Sequence, residues 1–452
     1  MGTAAWVNAG QAIRRPGPWR RLQQGPELVW PSRAWTSRAA VPPRTDLTPT
    51  RSRLLSVRLG FAGLSSDVTS GDPPDPTIGV GAGFVVQMVN SAVRIWTTDG
   101  VSRADYPLAT FAGAASPDVS DPWIVFDPAS GRWFASVVDV ARATVQVIVS
   151  TGSDPTGPWK VYSHPTGSCP DQPSLGVSGN FVVVGYSAFA APCRADPPRY
   201  LGGALLVYDK QQLLDGSDAR AVDWGPRPDL SPVAAVSLTR GSAVAVGLVS
   251  PPFVGGPTYL AVLSMPGPTI RRLPIGALTT PPPAAQPGTS QPIETNDVRI
   301  ISAVAERGTL WLAGNDGCVP RGDRQLRSCL RIIRVEKSGI SLDTDIGARG
   351  RDFFYPALAP TGNGELVVVH GFSSPAAHPS LSAFAITPGN HRTPAVTIAA
   401  GTASALSSRF GDYFGAAADS GGRVWVTGEI TLDPVSPSWA TAIAALATQR
   451  VR

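Results

Sequence analysis

Glutamate is scarce in this chain: Glu27, Glu294, Glu306, Glu336, Glu365 and Glu429 are its whole supply. An enzyme that cleaves glycosides needs an acid/base carboxyl and a nucleophile, so the choice of such residues is small. Zinc has no foothold either. His164, His370, His378 and His391 are widely scattered without a His four residues on, and the four cysteines form no CxxC pair. Walker A, GxSxG and a GxGxxG following a strand are all missing, which removes nucleotide and α/β-hydrolase chemistry. No stretch reaches the roughly 18 to 20 apolar residues that span a bilayer. The start, MGTAAWVNAGQAIRRPGPWRRLQQ, lacks the apolar segment of a secretory signal, and Arg14-Arg15 runs into Pro and Trp rather than an apolar run. Long helical patterns rich in Ala, Leu, Glu and Lys are absent too.

What is present suits many short strands. Hydrophobic residues make up 43% of the 452 and charged residues 16%, while 47 Gly and 45 Pro supply frequent turns without a collagen-like period. The net charge of +5 is unevenly placed. Residues 1 to 53 hold nine Arg against Glu27 and Asp46, a balance of +7, which leaves −2 for the rest. A basic stripe across the folded body is therefore not expected, and nucleic acid is not an expected partner. Residues 1–58 read as a disordered Arg- and Pro-rich tail, favoured over a segment that touches anionic surfaces. Trp6, Trp19, Trp30 and Trp35 in that tail have no functional account.

Residues 59–452 read as one all-β domain. Runs such as FVVQMVN, WIVFD, TVQVIVS, FVVVGY, AVAVGLV, TLWLAG, ELVVVHG and RVWVTG are five to seven residues long and bounded by Gly, Pro, Asp or Ser. Allowing for missed strands, some twenty to twenty-eight are expected, or five to seven four-stranded blades of a β-propeller. DKQQLLDG near Lys210 predicts a single helical turn. The Pro-rich segment Ile275 to Asp297 reads as a structureless connector or protruding loop.

Cysteines 169 and 193, and 318 and 329, form two close pairs, the second bracketing VPRGDRQLRS, a polar hairpin loop. Of three possible pairings the local one is preferred over the others, and four buried thiols is the alternative. Disulfides would place the protein in an oxidising compartment, extracellular or at the cell surface. Two turns, FDPASGRWF and STGSDPTGPW, set an Asp (127 or 154), a Gly and a Trp at a hairpin. There the carboxylate accepts backbone hydrogen bonds and the ring packs below.

Those turns resemble the Asp-box hairpins of sialidase-like propellers, although the Asp-to-Gly spacing departs from the usual box. Their role there is structural, so Asp127 and Asp154 are not expected to be catalytic. Taken with DPPDPTIGVGAGFVVQMVNSAVRIWTTDG, SDPWIVFDPASGRWF, DQPSLGVSGNFVVVGYSAF, NDVRIISAVAERGTLWLAG, SRFGDYFGAAAD, GEI and SWATAI, most of residues 72–446 resembles a group of predicted secreted bacterial β-propeller proteins. Phe410 stands where that group more often has Trp, and the N-terminus lacks its expected signal. The resemblance implies no activity and no catalytic residue.

The densest local candidate is Arg409-Phe-Gly-Asp412-Tyr413-Phe-Gly415, either a sugar or ion site or a structural ion pair between first and last blades. Arg409, Asp412, Tyr413 and Glu429 are the weak catalytic candidates, with Arg299 and Arg351 as further cations for a substrate carboxylate. Asp72, Asp75, Asp118 and Asp121 lie in loops flanking strands and could supply oxygens to calcium, though such residues more often cap turns. No other cofactor is expected. The expectation is an extracytoplasmic, non-catalytic propeller that binds glycan or protein; the alternative is a sialidase-like glycoside hydrolase acting on extracellular carbohydrate.

Overall fold

The computed structural model describes residues 4–7, 47–67, 71–195, 198–237, 244–249, 259–265, 269–432 and 439–451. Seven sheets form a seven-bladed β-propeller, at the upper end of the expected range. The blades fall into two compact units.

The first unit, built around residues 79–274, carries blades I to IV. Blade I comprises Thr77–Gly81, Phe84–Val89, Ala92–Thr97 and Ser102–Pro107, and blade II Val119–Asp127, Arg132–Asp139, Thr144–Ser150 and Trp159–Pro165. Blade III comprises Cys169–Val177, Phe181–Phe189, Tyr200–Asp209 and Val222–Arg227, and blade IV Leu230–Ala234, Val244–Val249, Tyr259–Ser264 and Thr269–Pro274. The short strand Ala4–Val7 adds to the edge of blade II against Trp159–Tyr162. The other tail tryptophans, Trp19, Trp30 and Trp35, lie outside the described residues.

A gradient of burial within each blade explains which strands are legible. Phe181–Phe189 is buried along almost its whole length, whereas the outer strand Val222–Arg227 is largely exposed. Middle strands covered on both faces read as continuous apolar runs; outer strands carry mixed residues and give little signal. Between blades II and III, Lys210 is buried. Its Nζ donates to Asp127 Oδ2 at 2.9 Å and to the Ser178 carbonyl at 2.6 Å. The expected helical turn is there, Lys210–Leu214, capped by Asp209 Oδ1, which accepts from Gln211 N at 2.8 Å. Both predicted turns also form. Asp127 accepts from Ala129 N, and Asp154 Oδ1 from Thr156 N at 2.9 Å. Trp133 Nε1 donates to the Ser153 carbonyl and Trp159 Nε1 to that of Pro155.

The second unit carries blades V to VII. Blade V comprises Ile300–Glu306, Thr309–Cys318, Arg327–Glu336 and Gly339–Ile346. Blade VI comprises Asp352–Pro360, Leu366–Ser374, Ala377–Ile386 and His391–Arg392, with Thr48–Pro49 added in parallel at its edge. Blade VII joins the two ends of the chain: Gly415–Ala418, Val424–Thr431 and Trp439–Arg450 are completed by Arg53–Ser65. The expected disordered tail 1–58 is corrected in part: Ala4–Val7, Thr48–Pro49 and the start of Arg53–Ser65 are strands, because each pairs with a blade edge, while the rest of it lies mostly outside the described residues.

Both disulfides take the local pairing, Cys169–Cys193 and Cys318–Cys329. Among the described residues, no helix is long and apolar enough to cross a membrane.

The Pro-rich segment 275–297 is more ordered than its composition suggests. It makes no regular strand, as its prolines require, yet Ile275, Leu278, Ala284 and Ile293 are buried. It is a strap laid over blades V and VI, reaching the loop that leads into blade VII. Gly276 N donates to Asp343 Oδ2 and Thr279 N to Asp316 Oδ1 in blade V. Ser373 Oγ of blade VI donates to the Ala285 carbonyl. Farther along, Gln286 brackets Ala405: its Oε1 accepts from Ala405 N at 2.6 Å and its Nε2 donates to the Ala405 carbonyl.

Candidate functional site

The strap ends beside the Arg409–Gly415 loop, so a cluster of charge in the second unit is assembled from distant parts of the chain. Glu294 N donates to the Ser408 carbonyl at 2.8 Å, and Ser408 Oγ donates to Glu294 Oε1 at 3.2 Å. This places Glu294 Oε2 3.9 Å from Arg409 Nε. On its other side Arg409 donates from Nη2 to Asp412 Oδ2 at 3.0 Å.

Below this surface the loop is locked from both flanks. Asp412 N donates to Asp75 Oδ1 at 2.8 Å, and Gly411 N donates to Glu429 Oε2 at 2.7 Å. Close approach requires glycine at 415, where a side-chain carbon would lie only 2.7 Å from Ile78 N, and leaves little room at 411, where one would lie 3.3 Å from Glu429 Oε2. Phe410 is fully buried, edge-on to Phe354 at 5.6 Å. An aromatic ring is thus needed at 410, and Phe meets the need that the resembling group more often meets with Trp. Tyr413 is also buried.

Glu429 is only 2% exposed. Burial, the largest influence, pushes its carboxyl well above the usual range. The neighbouring charges of Asp72, Asp75 and Asp412 act the same way, and the Gly411 N–H opposes them. The surroundings thus favour the protonated form of this carboxyl over the carboxylate.

The remaining sequence candidates have partners of their own. Arg299 pairs with Asp297, with Nη2 2.6 Å from Oδ2, and Arg351 lies over the Phe372 ring at 5.3 Å. Asp118 pairs with Arg194. Asp121 donates its N–H to Asn90 Oδ1 at 2.7 Å and accepts from Gln172 N at 3.1 Å through Oδ2. Asp72 contributes through the field it exerts on Glu429. Among the described residues no group of three or more His, Cys, Asp or Glu is arranged to hold a metal ion.

Sequence reading missed a repeat that organises these contacts. Asp75, Asp121, Gln172 and Tyr355 each have positive φ, and each is followed by a proline. Three sit at register shifts in the first strands of blades II, III and VI, and Asp75 stands just ahead of blade I. At three of them the distorted backbone N–H meets a side-chain oxygen: Asn90 serves Asp121, Asp121 serves Gln172, and Asn315 serves Tyr355. The X-Pro pairs at 75, 121, 172 and 355 were visible in the sequence as punctuation, but their common role was not.

No family model and no curated protein matches the chain by sequence. Some solved structures are similar to it. A protein of unknown function from Dyadobacter fermentans is 13% identical, with 88% of this chain and 99% of that one covered, at a TM-score of 0.44. The Trypanosoma rangeli sialidase is 10% identical, covering 85% of this chain and 60% of the sialidase, at 0.37. An ulvan lyase of a new polysaccharide lyase family is 10% identical, covering 85% and 96%, at 0.47. At such identities and TM-scores the likeness carries no functional argument.

Proposed function

We propose that this chain is a non-catalytic, extracytoplasmic binding propeller that recognises a glycan or protein through loops on a rigid scaffold. One observation carries the reading: the charged groups that would have to do chemistry are engaged with the protein itself. Arg409 grips Asp412, Asp412 and Asp75 meet through a backbone amide, and Glu429 holds Gly411 from a buried position. A hydrolase needs carboxyls presented to substrate, one protonated and one ionised, with room between them for the sugar. Two disulfides support an oxidising compartment.

The alternative, a glycoside hydrolase, draws on Glu429. A buried carboxyl whose hold on its proton is strengthened beside other carboxylates has the character of a general acid. Its burial argues that the proton serves the fold.

The deciding experiment pairs a glycan array with a turnover screen on fluorogenic glycosides, a sialoside included. Retention without turnover is the expected result. Turnover abolished by Glu429→Gln in a protein that still folds would reverse the assignment.

A further inference from the structure

The hairpin loop between Cys318 and Cys329 is not explained by the site above, and its charge is of a different kind. From Val319 to Asp352, two neighbouring loops, 318–329 and 347–352, together hold five arginines, 321, 324, 327, 349 and 351, against Asp323 and Asp352. Arg327 is the one turned inward, with Nε 2.9 Å from Asp323 Oδ2. Asp323 is in turn occupied by the Gly350 N–H at 2.8 Å, and those two contacts, the amide first, hold its carboxyl far below the usual range. Asp352 is buried and accepts from Ser328 N. Neither carboxylate faces outward, and Arg321, Arg324, Arg349 and Arg351 are exposed. No carboxylate pairs with any of these four among the described residues.

The two loops are fastened into one surface. Beyond the Asp323–Gly350 bond, Gly347 packs on the disulfide so closely that an added side-chain carbon would stand 2.7 Å from Cys329 Sγ and 2.8 Å from Pro320 Cγ. The same construction at Gly322 would stand 4.0 Å from Arg349 Cδ, so the Arg349 stem lies alongside the Arg321–Gly322 turn. Arginines thus outnumber carboxylates five to two on one fastened surface, and both carboxylates are turned to other partners, an arrangement that favours an arriving anion.

We infer that these stapled loops are the docking surface for an acidic polysaccharide, its carboxylate or sulfate groups bridged by the guanidinium groups of Arg321, Arg324 and Arg349. Planar guanidinium forks match such oxyanions in two-point hydrogen bonds. The exposed apolar residues of the hairpin loop are Val319 and Leu326, at 58% and 45% exposure, with no exposed aromatic ring on which a nucleobase could stack. This favours a glycan over a nucleic acid. The inference rests on the binding reading above and names its ligand class.

The test compares the wild-type chain with the triple variant Arg321→Ser/Arg324→Ser/Arg349→Ser, and with Arg103→Ser, an exposed arginine of blade I, as control. Probes are polygalacturonate, dextran sulfate, uncharged dextran and a single-stranded oligothymidylate. All three proteins keep the basic tail, so only the differences between them report on the loops. Far-UV circular dichroism checks that each is folded. The expected result is polygalacturonate or dextran sulfate affinity at least tenfold weaker in the triple variant, unchanged in the control, and falling with added salt. Equal acidic-glycan binding by wild type and triple variant overturns the inference. So does tighter binding of oligothymidylate than of either acidic glycan. Binding of uncharged dextran alone overturns it too, but leaves the glycan-binding reading standing. Failure to bind any glycan or protein on broader arrays removes that reading as well.

Discussion

Arg331 and Arg321 belong to one β-hairpin of blade V, and their charges are handled in opposite ways. Arg331 is 1% exposed. It holds Asp343 with two hydrogen bonds of 2.6 and 2.8 Å, Asp316 at 2.8 Å and Asp345 at 3.4 Å. Two of those aspartates also receive backbone amides from the Pro-rich strap, so one guanidinium organises both blade and strap. Arg321, at the tip of the same hairpin, is exposed and has no carboxylate partner among the described residues. The same side chain is architectural where desolvation forces it to be paired, and available for ligands where a covalent staple holds its backbone instead. The Arg409–Asp412 loop resembles Arg331 in that its arginine is paired with carboxylates of the same unit.

Breaking the inward side should have the largest effect. Arg331→Met leaves three carboxylates crowded around an apolar side chain, and removing one partner of a buried ion pair costs about 3–5 kcal/mol. Urea denaturation should show that loss, and hydrogen exchange should show the Gly276 and Thr279 amides unprotected before the blades open. A stability within ~0.5 kcal/mol of wild type would mean that the strap is held by its apolar contacts alone.

The staple comes next. Cys318→Ser with Cys329→Ser should cost about 2–4 kcal/mol, because the unfolded chain gains the freedom that the cross-link removes. If the disulfide also preorganises the arginines, acidic-glycan affinity should fall although no charge has changed. Unchanged affinity would place the preorganisation in the Asp323–Gly350 contact instead.

Two buried titratable groups sharpen the comparison through pH, with opposite signs. The Glu429 carboxyl is raised in the fold, so its contribution is fully present below the ordinary glutamate range and is lost as pH rises from there toward its folded value. Each pH unit inside that window costs the native state about 1.4 kcal/mol. Glu429→Gln keeps an oxygen for the Gly411 N–H and removes the titration, so the variant should gain on wild type as pH rises above the ordinary glutamate range. His370, enclosed by Phe353 and Phe384, is pushed down to about 4 by burial above all, with the Gly371 carbonyl contact opposing and Arg392 adding a smaller push, and its Nε2 has no hydrogen-bond partner among the described residues. Its contribution is present above its ordinary value of 6.5 and is lost as pH falls toward about 4. His370→Phe should flatten that acid limb. Identical pH profiles in wild type and either variant would show that the group titrates as it does in water.

How much of this was legible follows from where each signal resides. The strand runs were readable because middle strands such as Leu366–Ser374 are buried on both faces. The short helix at Lys210 was readable because its Asp209 cap is local. The strap was read as structureless because its partners, Asp316, Asp343, Ser373 and Ala405, lie far along the chain and composition carries no trace of them. Arg331 left a faint mark, a charge inside LRIIRV opposite the alternating acids of DTDIG. The Arg409–Asp412 pair was one of two readings of its motif; only geometry brought Glu294 to it.

The smallest expected effect separates the two kinds of arginine most directly. Substituting Arg321, Arg324 and Arg349 by serine removes no pairing and no buried contact, so stability should stay within ~0.5 kcal/mol of wild type. The sign matters more than the size. If like charges crowd one another on the stapled loops, the variant should be slightly more stable than wild type at low ionic strength. At 1 M salt the screening length is about 3 Å, and the gain should vanish. Thermal denaturation of both proteins at two salt concentrations reads this directly. A salt-independent loss would mean that these arginines hold structure as Arg331 does, and the contrast between hairpin core and hairpin tip would collapse.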